Sequence, residues 1–234
     1  MPDLRLVPAL STHKGMRRRS NQDALDLHYP KDAQQISQYG ALFAVADGVG
    51  GLEAGEKASR RSVDRLIELY FKADPDASVD QRLKDSIQQV KREVHQMPED
   101  AATTLVAAVI RGEQLTVAWV GDSMAFHVSG GGIKRLFEAD VLDSGGDEGK
   151  QGQLTRAIGH RSAIEIETVQ QTLEPGDHVL LCSDGLTRYL SDERLKALAQ
   201  MENMRSAVLR MIGEANDQGG ADNIRDRKST RLNS

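Results

Sequence analysis

Apolar residues recur at helical intervals in two long segments of the chain, residues 54–73 and 79–97. Spacings of three and four positions place these residues on one face of a helix, so both segments are predicted to form amphipathic helices. Two further helices are predicted over 191–200, where Ser191 is a good N-cap, and over 204–217. The residues expected to face the core are Ala58, Val63, Leu66, Ile67 and Tyr70 in the first helix and Leu83, Ile87, Val90 and Val94 in the second.

Short apolar or alternating runs before, between and after these helices predict β-strands. The joins between consecutive runs after residue 103 are short and carry turn residues, such as the segments RGE, GDS and GGG. Groups of strands that alternate with pairs of helices are typical of an α+β domain, in which helices pack outside a mainly antiparallel sheet. The predicted strands cover residues 4–10, 40–47, 103–110, 114–121, 124–129, 132–137, 163–171 and part of 175–185.

The composition favours a single globular domain. The 234 residues are 39% hydrophobic and 28% charged, and the net charge of −5 argues against nucleic acid or an anionic membrane as the main partner. Cys182, the single cysteine, lies in the apolar run HVLLCSD and is expected to be a buried small hydrophobic residue. Without paired cysteines, a charged-then-apolar leader or a long apolar stretch, the chain is expected to be cytoplasmic.

Four short segments each carry an aspartate in a turn-like setting: Asp23 in SNQDA, Asp47 in VADGVGG, Asp184 in LCSDGL and Asp222 in GGADNI. Asp47 and Asp184 end strongly apolar runs, where a carboxylate costs free energy unless it is paired or binds a cation. Converging carboxylates without histidine or cysteine ligands suit Mg²⁺ or Mn²⁺, which prefer oxygen ligands. Asp-Gly and Asp-Asn are also common turn dipeptides, so the spacing alone leaves simple turns and a metal site both open.

Seven segments, taken in order, resemble the bacterial PPM-type metal-dependent Ser/Thr protein phosphatases, the type-2C family. The resemblance spans about residues 12–224. It implies a four-layer α-β-β-α sandwich of two mainly antiparallel sheets flanked by helices, with a two-metal site at one end of the sandwich. The segments are GMRRRSNQDA, VADGVGGLEAGEKAS, ATTLVAAV, WVGDS, LTRAIGH, LCSDGL and GGADNI.

The resemblance also implies a role for each of these aspartates. Asp47 would bridge two Mn²⁺ or Mg²⁺ ions, and the carbonyl of Gly48 would bind one of them. Asp184 and Asp222 would bind the other ion, and Asp23 would hold metal-bound waters. A water held between two divalent cations loses its proton near neutral pH and attacks phosphorus in line, so Asp23 and Asp47 are expected to be catalytic.

Arg18, five residues before Asp23, would grip the phosphate of the substrate in a protein that resembles this family. An arginine suits that role because its planar guanidinium pairs with two phosphate oxygens. The expected substrates are therefore phosphoserine and phosphothreonine in proteins. A partner Ser/Thr kinase is expected from family analogy alone.

Two departures from the family pattern change what is expected at the site. Relatives that bind a third metal usually have an aspartate four residues after that of the SDG segment, and here this position is Arg188. Asp122 of VGDS would be the other third-site ligand, but an arginine makes a cation site electrostatically poor, so the third metal is expected to be weak or absent. Val49 stands where animal relatives place a histidine acid, which leaves a metal-bound water or His160 to protonate the leaving oxygen.

Two functions remain in competition. The first is an active Mn²⁺- or Mg²⁺-dependent phosphatase, favoured by Arg18, Asp47, Asp184 and Asp222. The second is a catalytically weak family member that acts as a regulatory binding module, favoured by Arg188 and by a shortened C-terminal end. Neither function predicts a nucleic-acid or membrane partner.

The last residues do not continue the family pattern. The family follows its DNI segment with an apolar strand, whereas residues 226–234 read DRKSTRLNS and contain no strand pattern. These letters match the translation of a common sequencing-adapter run, GAT CGG AAG AGC ACA CGT CTG AAC TCC. We therefore expect that residues 1–225 form the phosphatase domain, that its final strand is missing, and that 226–234 are non-native read-through.

Overall fold

The strands of this chain pair antiparallel into two sheets that pack face to face. The computed structural model describes residues 6–18, 20–49, 52–97, 101–142, 154–160, 164–220 and 223–229. The strands are β1 (Pro8–His13), β2 (Asp23–His28), β3 (Ala41–Val49), β4 (Ala102–Thr103), β5 (Leu105–Arg111), β6 (Gln114–Val120), β7 (Met124–Ser129), β8 (Gly132–Arg135), β9 (Glu167–Thr172), β10 (His178–Cys182) and β11 (Ile224–Ser229). One sheet has the order β1-β11-β10-β7-β8, and the other has β2-β3-β5-β6-β9 with β4 paired to β3.

Helices cover the outer faces of both sheets. The described helices are α1 (Ala33–Tyr39), α2 (Leu52–Lys72), α3 (Val79–His95), α4 (Asp184–Thr187), α5 (Asp192–Ala199) and α6 (Met204–Asp217). α2 packs on β2 and β3, α3 packs on α2, β6 and β9, and α6 packs on β1 and β11. The predicted four-layer α-β-β-α sandwich is therefore confirmed. Within the described part of the chain, none of these helices is long and apolar enough to cross a membrane.

β3 runs through the middle of the molecule and is buried on both faces. Phe43 and Val45 point into the core between the two sheets, whereas Leu42, Ala44 and Ala46 point into the core beneath α2 and α3. Successive side chains of a strand alternate between faces, so a run without polar residues is what a strand with two covered faces requires. β3 therefore runs from the buried centre of the fold towards the end of the sheet, and Asp47 lies near that end.

The helical pattern predicted the core faces of α2 and α3 well. Ala58, Val63, Leu66 and Tyr70 of α2 are fully buried, and Ile67 is partly buried against the same core. The four predicted residues of α3 are also buried, and Ser191 caps α5 by accepting a hydrogen bond from the Arg194 amide. Cys182 is fully buried, as its apolar neighbours predicted.

Several elements differ from the sequence-based expectation. The first strand occupies Pro8–His13 rather than residues 4–10, of which 1–5 lie outside the described residues. β2, α1 and α4 were not predicted. α1 was not predicted because it has only seven residues and none of them is fully buried, so its apolar signal is weak. Most of the predicted surface loop over 138–153 lies outside the described residues.

The expectation that the final strand is missing is wrong for this structure. Ile224–Ser229 forms β11, which lies between β1 and β10 and pairs antiparallel with both. Strand pairing requires only the N–H and C=O groups of the main chain, and here both neighbouring strands present them. A segment without an apolar alternation can therefore occupy a central place in the sheet. The adapter origin of residues 226–234 is a separate hypothesis and stays a prediction.

Candidate metal and phosphate site

Asp23 and Asp47 lie opposite each other at one end of the second sheet. Asp23 is the first residue of β2, and the antiparallel register pairs it directly with Asp47 of β3. Directly opposed residues of neighbouring strands project to the same face, with Cβ atoms about 4.5–5.5 Å apart. Asp23 is 3% exposed, and Asp47 is half-buried. The fold therefore places two predicted site carboxylates side by side.

The main chain of Asp47 is held by two consecutive threonines. Its amide donates to Thr104 Oγ1 at 2.9 Å, and its carbonyl accepts from Thr103 Oγ1 at 2.7 Å and from the Thr104 amide at 2.8 Å. Thr104 Oγ1 also lies 2.6 Å from the buried Ser123 Oγ, beside Asp122. These contacts fix the direction of the Asp47 backbone and connect it to the turn that carries Asp122.

Gly48 allows the first turn of α2 to lie directly on the end of β3. Its amide donates to the Gln22 carbonyl at 3.1 Å. A Cβ atom at Gly48 would overlap the carbonyl of Gly55 in α2, and it would lie 2.8 Å from the Gln22 carbonyl oxygen. Since both neighbours are main-chain atoms, neither can move aside cheaply. Glycine at position 48 therefore lets the main chain of β3 lie close to the main chain of α2, next to Asp47.

The end of β10 brings the first sheet to the same place. Ser183, which follows β10 and is fully buried, donates from Oγ to Asp23 Oδ2 at 3.2 Å. Asp184 comes next and begins the short helix α4. One hydrogen bond thus links residues 160 positions apart and places Asp184 at the end of the sandwich where Asp23 and Asp47 meet.

Asn223 fastens the loop that precedes β2. Its Oδ1 accepts from the Gln22 amide at 3.0 Å, and its Nδ2 donates to the carbonyls of Lys14 at 2.9 Å and Ser20 at 3.0 Å. Asn223 is 1% exposed. Asn223 therefore holds the segment that carries Arg18. Asp222 lies outside the described residues.

Arg188 lies one turn after Asp184 and forms an ion pair with it. Arg188 Nη2 donates to Asp184 Oδ2 at 2.7 Å, and the Arg188 amide donates to the Asp184 carbonyl at 2.9 Å. The side chain of Asp184 is 15% exposed and that of Arg188 is 34% exposed. The arginine that departs from the family pattern is therefore in direct contact with a predicted metal ligand.

Asp122 sits in the turn between β6 and β7, and this turn is held by Asp140. Asp140 Oδ2 accepts from the Gly121 amide at 2.8 Å, and Asp140 Oδ1 accepts from Arg156 Nη2 at 2.6 Å. The pKa of Arg156 is raised above its ordinary value, chiefly by this hydrogen bond to Asp140. The Asp140–Arg156 pair thus joins the turn that bears Asp122 to the segment around residue 156.

The remaining predicted residues lie at the surface. Arg18 is exposed in the loop that Asn223 and Gly220 hold, since the Gly220 carbonyl accepts from the Met16 amide at 2.8 Å. Val49 is 37% exposed at the end of β3. His160 is exposed, and in the described part of the chain no hydrogen bond joins it to the aspartates. His160 therefore gains no support as the leaving-group acid.

A cleft opens beside Asp23. It has a volume of about 1170 Å³ and is bounded by Thr12, Asn21 and Asp23 on one side. The opposite wall is the charged face of α2 with the end of α3, and it includes Glu56, Arg60 and Met97. A space of this size beside Asp23 is large enough to receive a side chain together with part of its own main chain.

The predicted ligands are oxygen donors of the kind that a divalent cation prefers. Asp23, Asp47 and Asp184 offer carboxylate oxygens. Gly48 adds a main-chain carbonyl, whose oxygen a Cβ atom at Gly55 would approach to 3.2 Å. Among the residues that the structure describes, no three His, Cys, Asp or Glu side chains already form a group that could hold a metal. The predicted set of ligands also includes Asp222, which lies outside the described residues.

Four residues that position the carboxylates were not predicted from the sequence. These are Thr103, Thr104, Ser123 and Ser183, all of them buried. Hydroxyl side chains in apolar strand ends are the available signal, because a buried hydroxyl requires a partner. Which partner each one takes depends on strand register and sheet packing, and a single sequence does not reveal these.

The chain is similar to known proteins over nearly its whole length. Residues 13–226 match the family model described as protein phosphatase 2C. The serine/threonine phosphatase stp of Listeria monocytogenes is 28% identical over 235 residues, which cover 91% of this chain and 91% of the relative.

Solved structures agree with this match. The serine/threonine phosphatase of S. agalactiae superposes with a TM-score of 0.84 at 26% identity, covering 96% of this chain and 99% of that one. The catalytic domain of the serine/threonine phosphatase PstP, solved in complex with two manganese ions, has a TM-score of 0.80 at 27% identity, covering 97% and 99% of the two chains.

Proposed function

Because the chain belongs to the protein phosphatase 2C family, we propose that it hydrolyses phosphoserine and phosphothreonine in proteins, with two Mn²⁺ or Mg²⁺ ions as cofactors. The observation that carries the proposal is the convergence of β2, β3 and β10 on one end of the sandwich. There Asp23 lies opposite Asp47 and accepts a hydrogen bond from Ser183, next to Asp184. The two manganese ions bound by the similar PstP catalytic domain support the choice of cofactor.

In this proposal each acidic residue has a defined task. Asp47 would bridge the two cations, with the Gly48 carbonyl on one of them and with Asp184 and Asp222 on the other. Asp23 would accept hydrogen bonds from water in the site. When bound, the two cations lower the pKa of water and neutralise phosphate charge. The threonines behind Asp47 would keep its carboxylate aimed at the cations, because they fix its main chain on both sides.

Arg18 would bind the phosphate of the substrate. It is exposed at the surface, from which a phosphoprotein would approach the site. The loop that bears Arg18 is held at its base by Asn223. A fixed base with an exposed tip lets a long side chain reach phosphate while its anchor point stays in place.

A third cation would bind weakly or not at all. Asp122 would be one ligand for it, but the other expected carboxylate is replaced by Arg188. A guanidinium repels a divalent cation placed within a few ångströms of it. The proposed chemistry therefore depends on two ions.

A phosphothreonine peptide provides the test. Phosphate release is expected in the presence of Mn²⁺ and is expected to stop on addition of EDTA. Asp47→Asn should lower kcat at least about a hundredfold, because loss of a residue that only supports a ligand already costs 10–100-fold. Asp76→Asn is the matched control, since Asp76 is an exposed loop residue remote from the proposed site. Hydrolysis that continues at full rate in EDTA would contradict the two-metal mechanism.

A second function, a catalytically weak phosphatase-like binding module, is favoured by one specific contact. Arg188 is in direct contact with Oδ2 of Asp184, and its positive charge opposes a cation at this carboxylate. If this module is the correct function, the chain will bind a phosphothreonine peptide and release no phosphate at any Mn²⁺ concentration. Isothermal titration with the same peptide separates the two functions.

The proposal places the protein in the cytoplasm, where it would act on phosphoproteins. The charge balance and cysteine content support this location. A Ser/Thr kinase that phosphorylates the same substrates is the partner this activity requires. Neither nucleic acid nor a membrane has a part in the proposed reaction.

A further inference from the structure

The ion pair between Arg188 and Asp184 is built into the geometry of α4. The two residues are one helical turn apart, and the Arg188 amide is itself bonded to the Asp184 carbonyl. The Arg188 side chain therefore starts from a fixed point and folds back over the turn to reach Asp184 Oδ2 at 2.7 Å. Because Arg188 is covalently tethered, it stays near Asp184 at a high effective concentration even when the ion pair opens.

Asp184 cannot easily move away from this arginine. Gly185 and Leu186 of α4 are buried, and Leu190 just beyond the helix is 3% exposed. Ser183 on the other side is fully buried and bonded to Asp23. The Arg188 side chain, by contrast, is 34% exposed and has solvent on one side. Because the Arg188 side chain is the more exposed of the two, it is the partner that a cation approaching Asp184 is expected to displace.

We infer that Arg188 is a tethered competitor of the metal at Asp184 and sets the affinity of that ion. The inference rests on the proposed function, which makes Asp184 a metal ligand. A cation and a guanidinium cannot share Oδ2 at contact distance, and their like charges repel each other. A cation that binds this carboxylate must displace the guanidinium from Oδ2 or bind the buried Oδ1 against the positive charge of the arginine. In either case the ion pair reduces the free energy gained on metal binding.

The same contact should stabilise the metal-free protein. Asp23 and Asp47 lie at the same end of the sandwich, so Asp184 stands near other negative charge. Arg188 offsets that charge when no metal is bound. Removal of the arginine should thus weaken the metal-free fold and strengthen metal binding, and these opposite signs distinguish a competitor from a residue that only supports the structure.

Titration calorimetry with Mn²⁺ on the full chain, freed of metal with EDTA and then dialysed, tests the inference. Arg188→Gln should bind the Asp184 ion about fivefold tighter, the upper range for loss of a partly exposed ion pair. Its unfolding temperature in EDTA should fall by about 1–2 °C. Arg188→Lys should lie between the parent and Arg188→Gln. Arg210→Gln is the control, because it also removes one positive charge from an i, i+4 ion pair, with Glu214.

Each outcome has a defined meaning. Equal or weaker Mn²⁺ binding by Arg188→Gln overturns the inference and leaves the proposed function intact. Absence of Mn²⁺ binding by the parent and by every variant overturns both. Binding by Arg188→Gln together with none by the parent supports the inference in its strongest form, in which the arginine keeps the metal out.

Discussion

The amide of Gln22 donates a hydrogen bond to Asn223 Oδ1 at 3.0 Å, across a sequence separation of 201 residues. Gln22 directly precedes Asp23, and its carbonyl accepts from the Gly48 amide at 3.1 Å. The asparagine that follows Asp222 is therefore connected through one residue to the main chain at Asp23 and at Gly48. This connection ties the C-terminal part of the chain to the proposed metal ligands of β2 and β3.

Replacement of Asn223 by alanine should destabilise the protein by about 2–4 kcal/mol. The change removes three hydrogen bonds. It leaves the buried Gln22 amide and the partly buried carbonyls of Lys14 and Ser20 without this partner. Asn223→Asp keeps the acceptor and loses both donors, so it should also be destabilising. Urea unfolding measures both losses, with the exposed Gln34→Ala as control. A loss below about 1 kcal/mol would show that the loop is held by other contacts.

Much of the fold follows from the apolar pattern, because that pattern reports burial. β3, α2 and α3 were predicted since their apolar residues define faces that the two cores cover. β2 was not predicted although its letters DALDLH alternate, because two aspartates and a histidine in six residues weaken the apolar signal. α1 is short and has no fully buried residue, so its apolar signal is weak, and its N-cap Asp32, which accepts from the Gln35 amide, is the clearer indication of a helix.

The apolar pattern alone does not predict how the residues of the candidate site are arranged. The family resemblance named Asp23, Asp47 and Asp184, but nothing in the sequence shows that Asp23 and Asp47 share a register position or that Ser183 bridges the sheets. These relations join distant parts of the chain. β11 was not predicted for a related reason. Its residues do not indicate a strand, and it forms one because it lies between β1 and β10.

The adapter origin of residues 226–234 remains a prediction about the gene. Genomic DNA read across the 3′ end from independent clones should replace DRKSTRLNS with an apolar segment after Ile224. If genomic reads reproduce DRKSTRLNS, the tail is native and the prediction is wrong. In that case β11 is the natural strand of the sheet.

Gly48→Ala should severely damage the protein, whereas Gly213→Ala should stabilise it. A methyl group at Gly48 would overlap the Gly55 carbonyl and press on the Gln22 carbonyl, which forces β3 and α2 apart. Gly213 lies inside α6, and a Cβ atom there meets nothing within 4 Å. Alanine in a helix interior is favoured over glycine by about 0.5–1 kcal/mol. Thermal unfolding of the two variants checks both signs, and a tolerated Gly48→Ala would contradict the close contact.

Stability should decline in acid partly through Glu93. Glu93 accepts from Arg65 Nε at 2.8 Å and from Arg65 Nη2 at 2.7 Å, and these bonds lower the pKa of Glu93 to about 2. A lowered pKa stabilises the fold above the ordinary value of 4.5, and this stabilisation is lost as the pH falls from there towards 2.

Glu93→Gln isolates this contribution. The variant should be less stable at pH 7 by about 1–2 kcal/mol after allowance for solvent screening, and the difference from the parent should vanish near pH 2. Urea midpoints measured from pH 2 to 7 provide the comparison. The exposed Glu202→Gln should follow the parent at every pH. A constant difference across the range would mean that the carboxylate charge has no part in the link between α2 and α3.

Asp140→Ala should impair substrate turnover as well as stability. Asp140 holds the Gly121 amide and Arg156, so its loss frees the turn that carries Asp122 and the neighbouring segment beside the site. Asp177→Ala is the matched control, because Asp177 similarly accepts from the Glu174 amide at 2.9 Å and lies 2.7 Å from His127 Nε2, in the other sheet. Both variants should lose about 2–3 kcal/mol of stability. Only Asp140→Ala should lower kcat/KM for a phosphothreonine peptide at a temperature where both are folded. Equal kcat/KM in the two variants would show that the Asp140 contact supports the fold alone.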